Sequence, residues 1–272
     1  MGFSVNTNTG AMAALQSLNA TNRGLDTVQS RINTGLRVGS TKDDSASFVI
    51  AQTLRGEVGG LSAVNSSLSR AKSTVDVAVA GAEQISDLLN QMKAKAIEAS
   101  DAGVDADSRT SIANDFDALK EQINTIIDSS EFNGTNLLKA SGGTVSALQS
   151  TDTSASTLTV ANLDFGAAVT ALGSTFTDAA TAQTMVTNLE TAASTIGGHL
   201  STLGSASRKI EGQLSFTSKL SDVIEGGIGN LVDADLAKES AKLQALQVKQ
   251  QLGLQALSIA NQAPQSVMSL FR

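Results

Sequence analysis

Cysteine, tryptophan and tyrosine are absent from this 272-residue chain, and proline occurs only once. Without cysteine there is no disulfide, no zinc–thiolate site and no thiol nucleophile. With aromatic residues at 3%, the core must be built from alanine, leucine, isoleucine and valine, the composition of long packed helices. His199 is the sole histidine, which rules out a histidine dyad, a multi-histidine metal site and an HExxH protease motif. Lysine and arginine number 19 against 26 aspartates and glutamates, for a net charge of −7. That balance offers no electrostatic footprint for nucleic acid and no attraction to an anionic membrane surface. No run of eighteen apolar residues is present, so no segment is expected to insert in a membrane. The start, MGFSVNTNTG, lacks a basic leader and an apolar core with a cleavage site. Asn6 also stands where a myristoylation signal needs Ser or Thr. No nucleophile and base pair up along the chain, so no catalytic residue, cofactor or metal site is expected, and the chain reads as a non-enzyme.

What the sequence has in abundance is helical periodicity. Over residues 236–271, at 100° per residue, Leu236, Leu243, Leu246, Leu254, Leu257 and Met268 fall on one side, and Ala241, Ala245, Val248, Leu252, Ile259 and Ala263 on the other. A surface helix needs one apolar stripe. A second, opposed stripe requires a second neighbour, so this terminal segment is expected to order chiefly when other molecules pack around it.

Near the other end, Ala11, Leu15, Leu18, Asn22, Leu25, Gln29, Ile32 and Leu36 alternate steps of four and three, the spacing of a coiled-coil seam. Gly35, Gly39 and Ser40 interrupt it. Ser40 with Asp43 resembles a capping arrangement, so a new helix is expected near Lys42. Apolar stripes then run through residues 50–99 and 112–126, joined by the polar turn SDAGVDADS, which suggests an antiparallel helix pair. Asn133-Gly134 is a tight-turn signal. Residues 140–182 are rich in Ser, Thr, Ala and Gly, and within them TVSAL and TLTVANL read as the strands of a hairpin. Helical spacing resumes at Leu189 and continues to Leu231, after which Asp233 or Asp235 can cap the final helix.

The fold class that follows is mainly α: an elongated rod with a coiled-coil pair formed by the terminal helices, and a helical bundle bearing a small β-hairpin region. Leu15, Leu18, Leu25, Ile32 and Leu36 are expected to pair with Leu243, Leu246 and Leu257 within one subunit, leaving Val248, Leu252 and Ile259 for neighbouring copies. Contacts between non-identical faces of identical chains generate rings or open filaments. A polymer of this chain with itself is the natural reading.

Three blocks carry a resemblance to a known family. RINTGLRVGSTKDDSASFVIAQTLRGEV (Arg31 to Val58) is similar to the N-terminal signature of bacterial flagellins, SSEFNGTNLL (Ser129 to Leu138) to the turn ending their second central helix, and LSIANQAPQSVMSLFR (Leu257 to Arg272) to their C-terminus. The likeness covers about the first 140 and the last 90 residues, and resembles the short, two-domain type of alphaproteobacteria. It implies a secreted, extracellular structural subunit that self-assembles into the flagellar filament for swimming motility, exported unfolded through the flagellar type III apparatus. It further implies a discontinuous inner polymerisation domain, 1–40 with 233–272, and a bundle domain, 41–232, with its hairpin or variable segment near 130–182.

Implied partners are further copies of the chain, the export apparatus, a secretion chaperone at the C-terminal helix and hook-associated proteins at the filament ends. The segment Leu89 to Ser100 matches the family's innate-immune receptor motif. There Gln91, Ala94 and Lys95 stand where receptor-activating members tend to have Arg, Glu and Leu, and loss of a bidentate arginine implies weak or no activation of the Toll-like flagellin receptor. Two other classes remain open on sequence alone: a hook–filament junction or cap-type axial protein, and a soluble signalling coiled-coil bundle.

Overall fold

A computed structural model describes residues 7–152, 154, 156–173 and 176–269, with side chains as far as 262. The sequence assignments to Ala263 and Met268, and the reading of the start MGFSVN, lie outside the described residues or side chains. The order of elements is α1 (Thr9–Thr34), α2 (Ser45–Ala99), α3 (Ala106–Ser129), β1 (Val145–Ala147), β2 (Leu158–Val160), α4 (Phe165–Thr170), α5 (Ala179–Val232) and α6 (Leu236–Ser269). The chain is therefore mainly α with one small antiparallel sheet, in which Val145 pairs with Val160 and Ala147 with Leu158.

Two compact units divide the chain: one of residues up to 56 together with those from 223, the other of residues 57–222. Helices α2 and α5 contribute to both. In the second unit, the core runs from Val64 to Ile210 and gathers Leu68, Ile85, Met92, Phe116, Ile123, Leu189, Ile196 and Leu203, all essentially buried. Phe116 and Phe176 meet edge to face with centroids 5.0 Å apart, an arrangement aromatic rings favour. Ion pairs tie the outer faces of the helices: Lys72 to Glu211 at 3.0 Å, Lys93 to Glu190 at 2.8 Å and Lys95 to Asp115 at 2.8 Å.

The turn between α2 and α3 is closed by Arg109. Though buried, it makes no salt bridge among the described residues. It donates from Nε to the carbonyl of Ala99 and from Nη2 to that of Asp101, both at 2.9 Å, and so satisfies carbonyls that the helix end leaves open.

After α3, the sequence FNGTNLL is explained by two asparagines. Asn133 (φ 51°) and Gly134 (φ 80°) occupy the left-handed positions of a two-residue turn, where asparagine and glycine are tolerated best. Phe132 and Thr135 exchange backbone hydrogen bonds across it, at 3.0 and 3.1 Å. Buried Asn136 donates to the carbonyl of Ile127 (2.6 Å) and accepts from the amides of Leu138 (2.9 Å) and Lys139 (3.0 Å). The Asn136 carbonyl fills the space a side chain at Gly142 would need.

Three local expectations differ from the structure. The helix after residue 40 starts at Ser45, capped by Asp44, whose carboxylate accepts from Ala46 and Ser47 amides at 3.1 and 3.2 Å. Asp43 instead closes the preceding turn, accepting from the amides of Gly39 and Ser40. The second long helix begins ten residues before Leu189, at Ala179, and a short helix, α4, sits in the segment read only as strand-like and variable. The final helix is capped by Asp235, which accepts from the Lys238 amide at 3.1 Å. Asp233 instead lies at the corner between α5 and α6.

Candidate assembly interface

In the first unit, α1 and α6 run antiparallel. Four side-chain relationships fix their register: Asn8 Nδ2 donates to the carbonyl of Ala260 at 2.7 Å, Leu18 lies against Gly253, Gln250 Nε2 donates to Asn22 Oδ1 at 2.9 Å, and Arg31 approaches Glu239 at 3.5 Å. The inward residues of α6 are Glu239, Leu243, Leu246, Gln250, Gly253, Leu257 and Ala260. Those of α1 include Ala11, Ala14, Leu18, Thr21, Leu25, Val28 and Ile32. Both rows advance by alternating steps of three and four, the repeat that keeps a seam facing its partner.

Close packing uses glycine on each side. A methyl group added at Gly253 would sit 3.3 Å from Leu18 Cδ1, and one at Gly24 would sit 3.5 Å from Leu246 Cδ1. Each leucine thus fills the notch opposite. At the far end, Gly35 (φ 72°) ends α1 in the left-handed conformation, a common helix stop. The chain then pairs with the α5–α6 corner. Leu36 bridges Asp233, Ala234 donates to Gly35, and the amides of Arg37 and Val38 both donate to Val232. Arg37 Nη2 adds a bond to the carbonyl of Leu231 at 2.6 Å.

Buried at this seam is one carboxylate. Glu239 is 4% exposed and is held by Lys242 at 2.8 Å and Arg31 at 3.5 Å. The Lys242 hydrogen bond, reinforced by both positive charges, holds its pKa below the ordinary glutamate range, against burial, which pushes the other way. Glu239 Oε2 and Arg31 Nε are buried without hydrogen-bond partners.

Of the residues expected on the seam, Leu18 is buried, and Leu25, Ile32, Leu36, Leu243, Leu246 and Leu257 are half-buried. Leu15 faces outward at 48% exposure. Two three-four rows pass through Leu18, Leu25 and Ile32, and the structure uses the one containing Ala14 and Val28, not the one containing Leu15 and Gln29. Leu254 and Leu236, grouped by angle with Leu243, are also exposed, and Gly253 takes the inward place. Val248, Leu252 and Ile259 lie on the face of α6 turned away from α1, at 55, 57 and 69% exposure.

Among the described residues, exposed large apolar side chains concentrate in this unit. Met12, Leu15, Val49, Ile50, Val223, Leu236, Val248, Leu252, Leu254 and Ile259 belong to it, against Ile97, Phe132, Leu148 and Phe216 in the larger unit. Concentrated apolar exposure marks a surface that is covered by another molecule. Among the described residues no group of acidic or histidine side chains could hold a metal, and no helix is long and apolar enough to cross a membrane.

Comparison with known proteins decides the family. Residues 5–142 match the bacterial flagellin N-terminal helical region, and residues 186–271 the bacterial flagellin C-terminal helical region. This chain belongs to the bacterial flagellins. It is 47% identical to flagellin FljM of Caulobacter vibrioides over 269 residues, covering 99% of this chain and 98% of that one. It is 36% identical to a flagellin of Brucella melitensis, covering 99% of each. The crystal structure of Bacillus cereus flagellin superposes with a TM-score of 0.51 at 28% identity, covering 54% of this chain and 86% of that chain. A putative flagellar hook-associated protein from Vibrio parahaemolyticus, 10% identical with a TM-score of 0.57 over 70% of this chain and all of its own, shares the fold alone. This flagellin, of the alphaproteobacterial type, is a structural subunit of the extracellular flagellar filament.

Proposed function

We propose that the paired terminal helices are the part of this flagellin that polymerises. Residues 1–40 and 233–272 form a discontinuous inner polymerisation domain, and residues 41–232 form a second, bundle domain. Leu18, Leu25, Ile32, Leu36, Leu243, Leu246 and Leu257 hold the two ends of one subunit together, while Val248, Leu252 and Ile259 meet neighbouring subunits; Leu15, turned outward, joins this second group. The observation that carries the reading is the row Val248, Leu252 and Ile259: three large apolar side chains more than half exposed on one helix whose other face is already occupied.

Leu252→Asp tests it. A charge placed in an interface without a partner costs several kcal/mol, so the variant remains monomeric by sedimentation while circular dichroism shows the larger unit folded. Normal filaments from it contradict the assignment.

The same exposed row explains what the family implies about partners. A helix that is apolar on two faces has to be shielded until assembly, which fits export in an unfolded form through the flagellar type III apparatus and a secretion chaperone on the C-terminal helix. At the filament ends, hook-associated proteins with matching terminal helices satisfy the last uncovered faces. The chain acts as a building element and not as an enzyme. Recognition by the Toll-like flagellin receptor is weak, because Gln91 and Lys95 line the α2–α3 groove where an arginine-centred contact is needed, and the Lys95 ammonium is already engaged by Asp115 at 2.8 Å.

A further inference from the structure

Charge divides unevenly between the two units. The unit built from the chain ends carries nine lysines and arginines against seven carboxylates, and the unit spanning 57–222 carries ten against nineteen. In that acidic unit Arg70, Arg208, Lys209 and Lys219 make no ion pair and no side-chain hydrogen bond among the described residues. Arg70, on α2, is one of these, whereas Lys72, two residues on, is paired with Asp76 and Glu211.

A solitary surface arginine is unremarkable by itself. Arg70, however, lines a polar cavity of about 200 Å³ whose other walls include Asn133, Thr135, Thr144 and Ser146, and none of these four side chains makes a hydrogen bond among the described residues. Local structure brings them together for separate reasons. The Asn133-Gly134 turn presents Asn133 and Thr135, and the alternation of β1, with Val145 and Ala147 buried, turns Ser146 outward. A guanidinium, an amide and three hydroxyls thus converge on one space with their donors unused. That donor set recognises a carboxylate or similar oxyanion. The volume is below the several hundred Å³ typical of sites for free drug-sized ligands, and suits the end of one side chain.

We infer that this cavity is a socket for an aspartate or glutamate of a second copy, a contact between subunits separate from the terminal helices. The occupant follows from two observations. This flagellin is packed among copies of itself in the filament, and the unit that bears the socket has nine more carboxylates than basic residues. Without such pairings, the like charges of neighbouring units repel.

The test exploits carbodiimide coupling, which joins a lysine amine to a carboxylate in contact with it. Filaments of Arg70→Lys are assembled from an equal mixture of isotope-labelled and unlabelled chains, treated with carbodiimide and analysed by mass spectrometry. The socket predicts isopeptide-linked peptides joining the introduced amine of one label to an aspartate or glutamate peptide of the other, absent from dilute monomer. An introduced amine left unreacted while other lysines couple, or linked only within its own label, overturns the proposal. In parallel, Arg70→Gln, which keeps the terminal helices intact, raises the protein concentration needed for assembly by about tenfold, as expected for loss of one charge-assisted contact. An unchanged threshold also overturns it. Inorganic phosphate titrated into the dilute wild-type monomer separates the alternatives: saturable binding that Arg70→Gln abolishes marks a free-anion site and contradicts the subunit socket.

Discussion

Gln250 donates to Asn22 across 2.9 Å, and this uncharged polar pair sits midway along the seam of α1 and α6. Shifting either helix by one heptad separates the two amides and places Asn22 opposite Leu243 or Leu257. A polar pair of this kind sets register at some expense of stability. Replacing Asn22 alone by leucine leaves the Gln250 amide unpaired and lowers filament stability by roughly 1–2 kcal/mol. The double change, Asn22→Leu with Gln250→Leu, recovers most of that loss. Thermal disassembly followed by light scattering measures both, and equal losses in single and double variants refute the coupling.

Acid sensitivity is expected to centre on Glu239. Its pKa is lowered in the folded state by Lys242 and Arg31. Its contribution is therefore fully present above the ordinary glutamate pKa and is lost as pH falls through the lowered, folded value. Filament stability should fall over that acidic window, and Glu239→Gln should flatten the dependence while leaving less stability at neutral pH. Disassembly midpoints recorded against pH check this, and identical profiles for variant and wild type count against it.

Two glycines make opposite predictions. A side chain at Gly142 collides with the carbonyl oxygen of Asn136, a backbone atom that cannot step aside, so Gly142→Ala destabilises the larger unit by about 2 kcal/mol. Nothing lies within 4 Å of an added methyl at Gly56, inside α2, and Gly56→Ala stabilises by about 0.5–1 kcal/mol through helix propensity. Denaturant unfolding distinguishes the two, and a shared sign contradicts the packing around Asn136.

Much of this fold is legible in the sequence because hydrophobic spacing is a direct image of a helix. The stripes through Leu68, Ile85 and Phe116 become core, and Asn133-Gly134 becomes the turn it announces. Spacing misleads where two solutions satisfy the same pattern. Rows through Leu15 and through Ala14 share Leu18, Leu25 and Ile32, and only the partner helix chooses between them. The inward face of α6 turns on Gly253, invisible to a search for large apolar residues because its contribution is the space it leaves for Leu18. Glu239 and Arg31 escape detection for a related reason: two charges far apart in sequence give no sign that they meet in a seam. The cavity at Arg70 depends on a turn, a strand and a helix converging, and no single segment announces it.

The central claim is that α6 has a face only other subunits can cover. Hydrogen exchange over residues 236–262, compared between dilute monomer and assembled filament, tests it most directly. The account predicts rapid exchange in the monomer and strong protection in the filament, with amides between Leu68 and Met92 protected in both. Full protection of residues 236–262 in the solitary chain would contradict it.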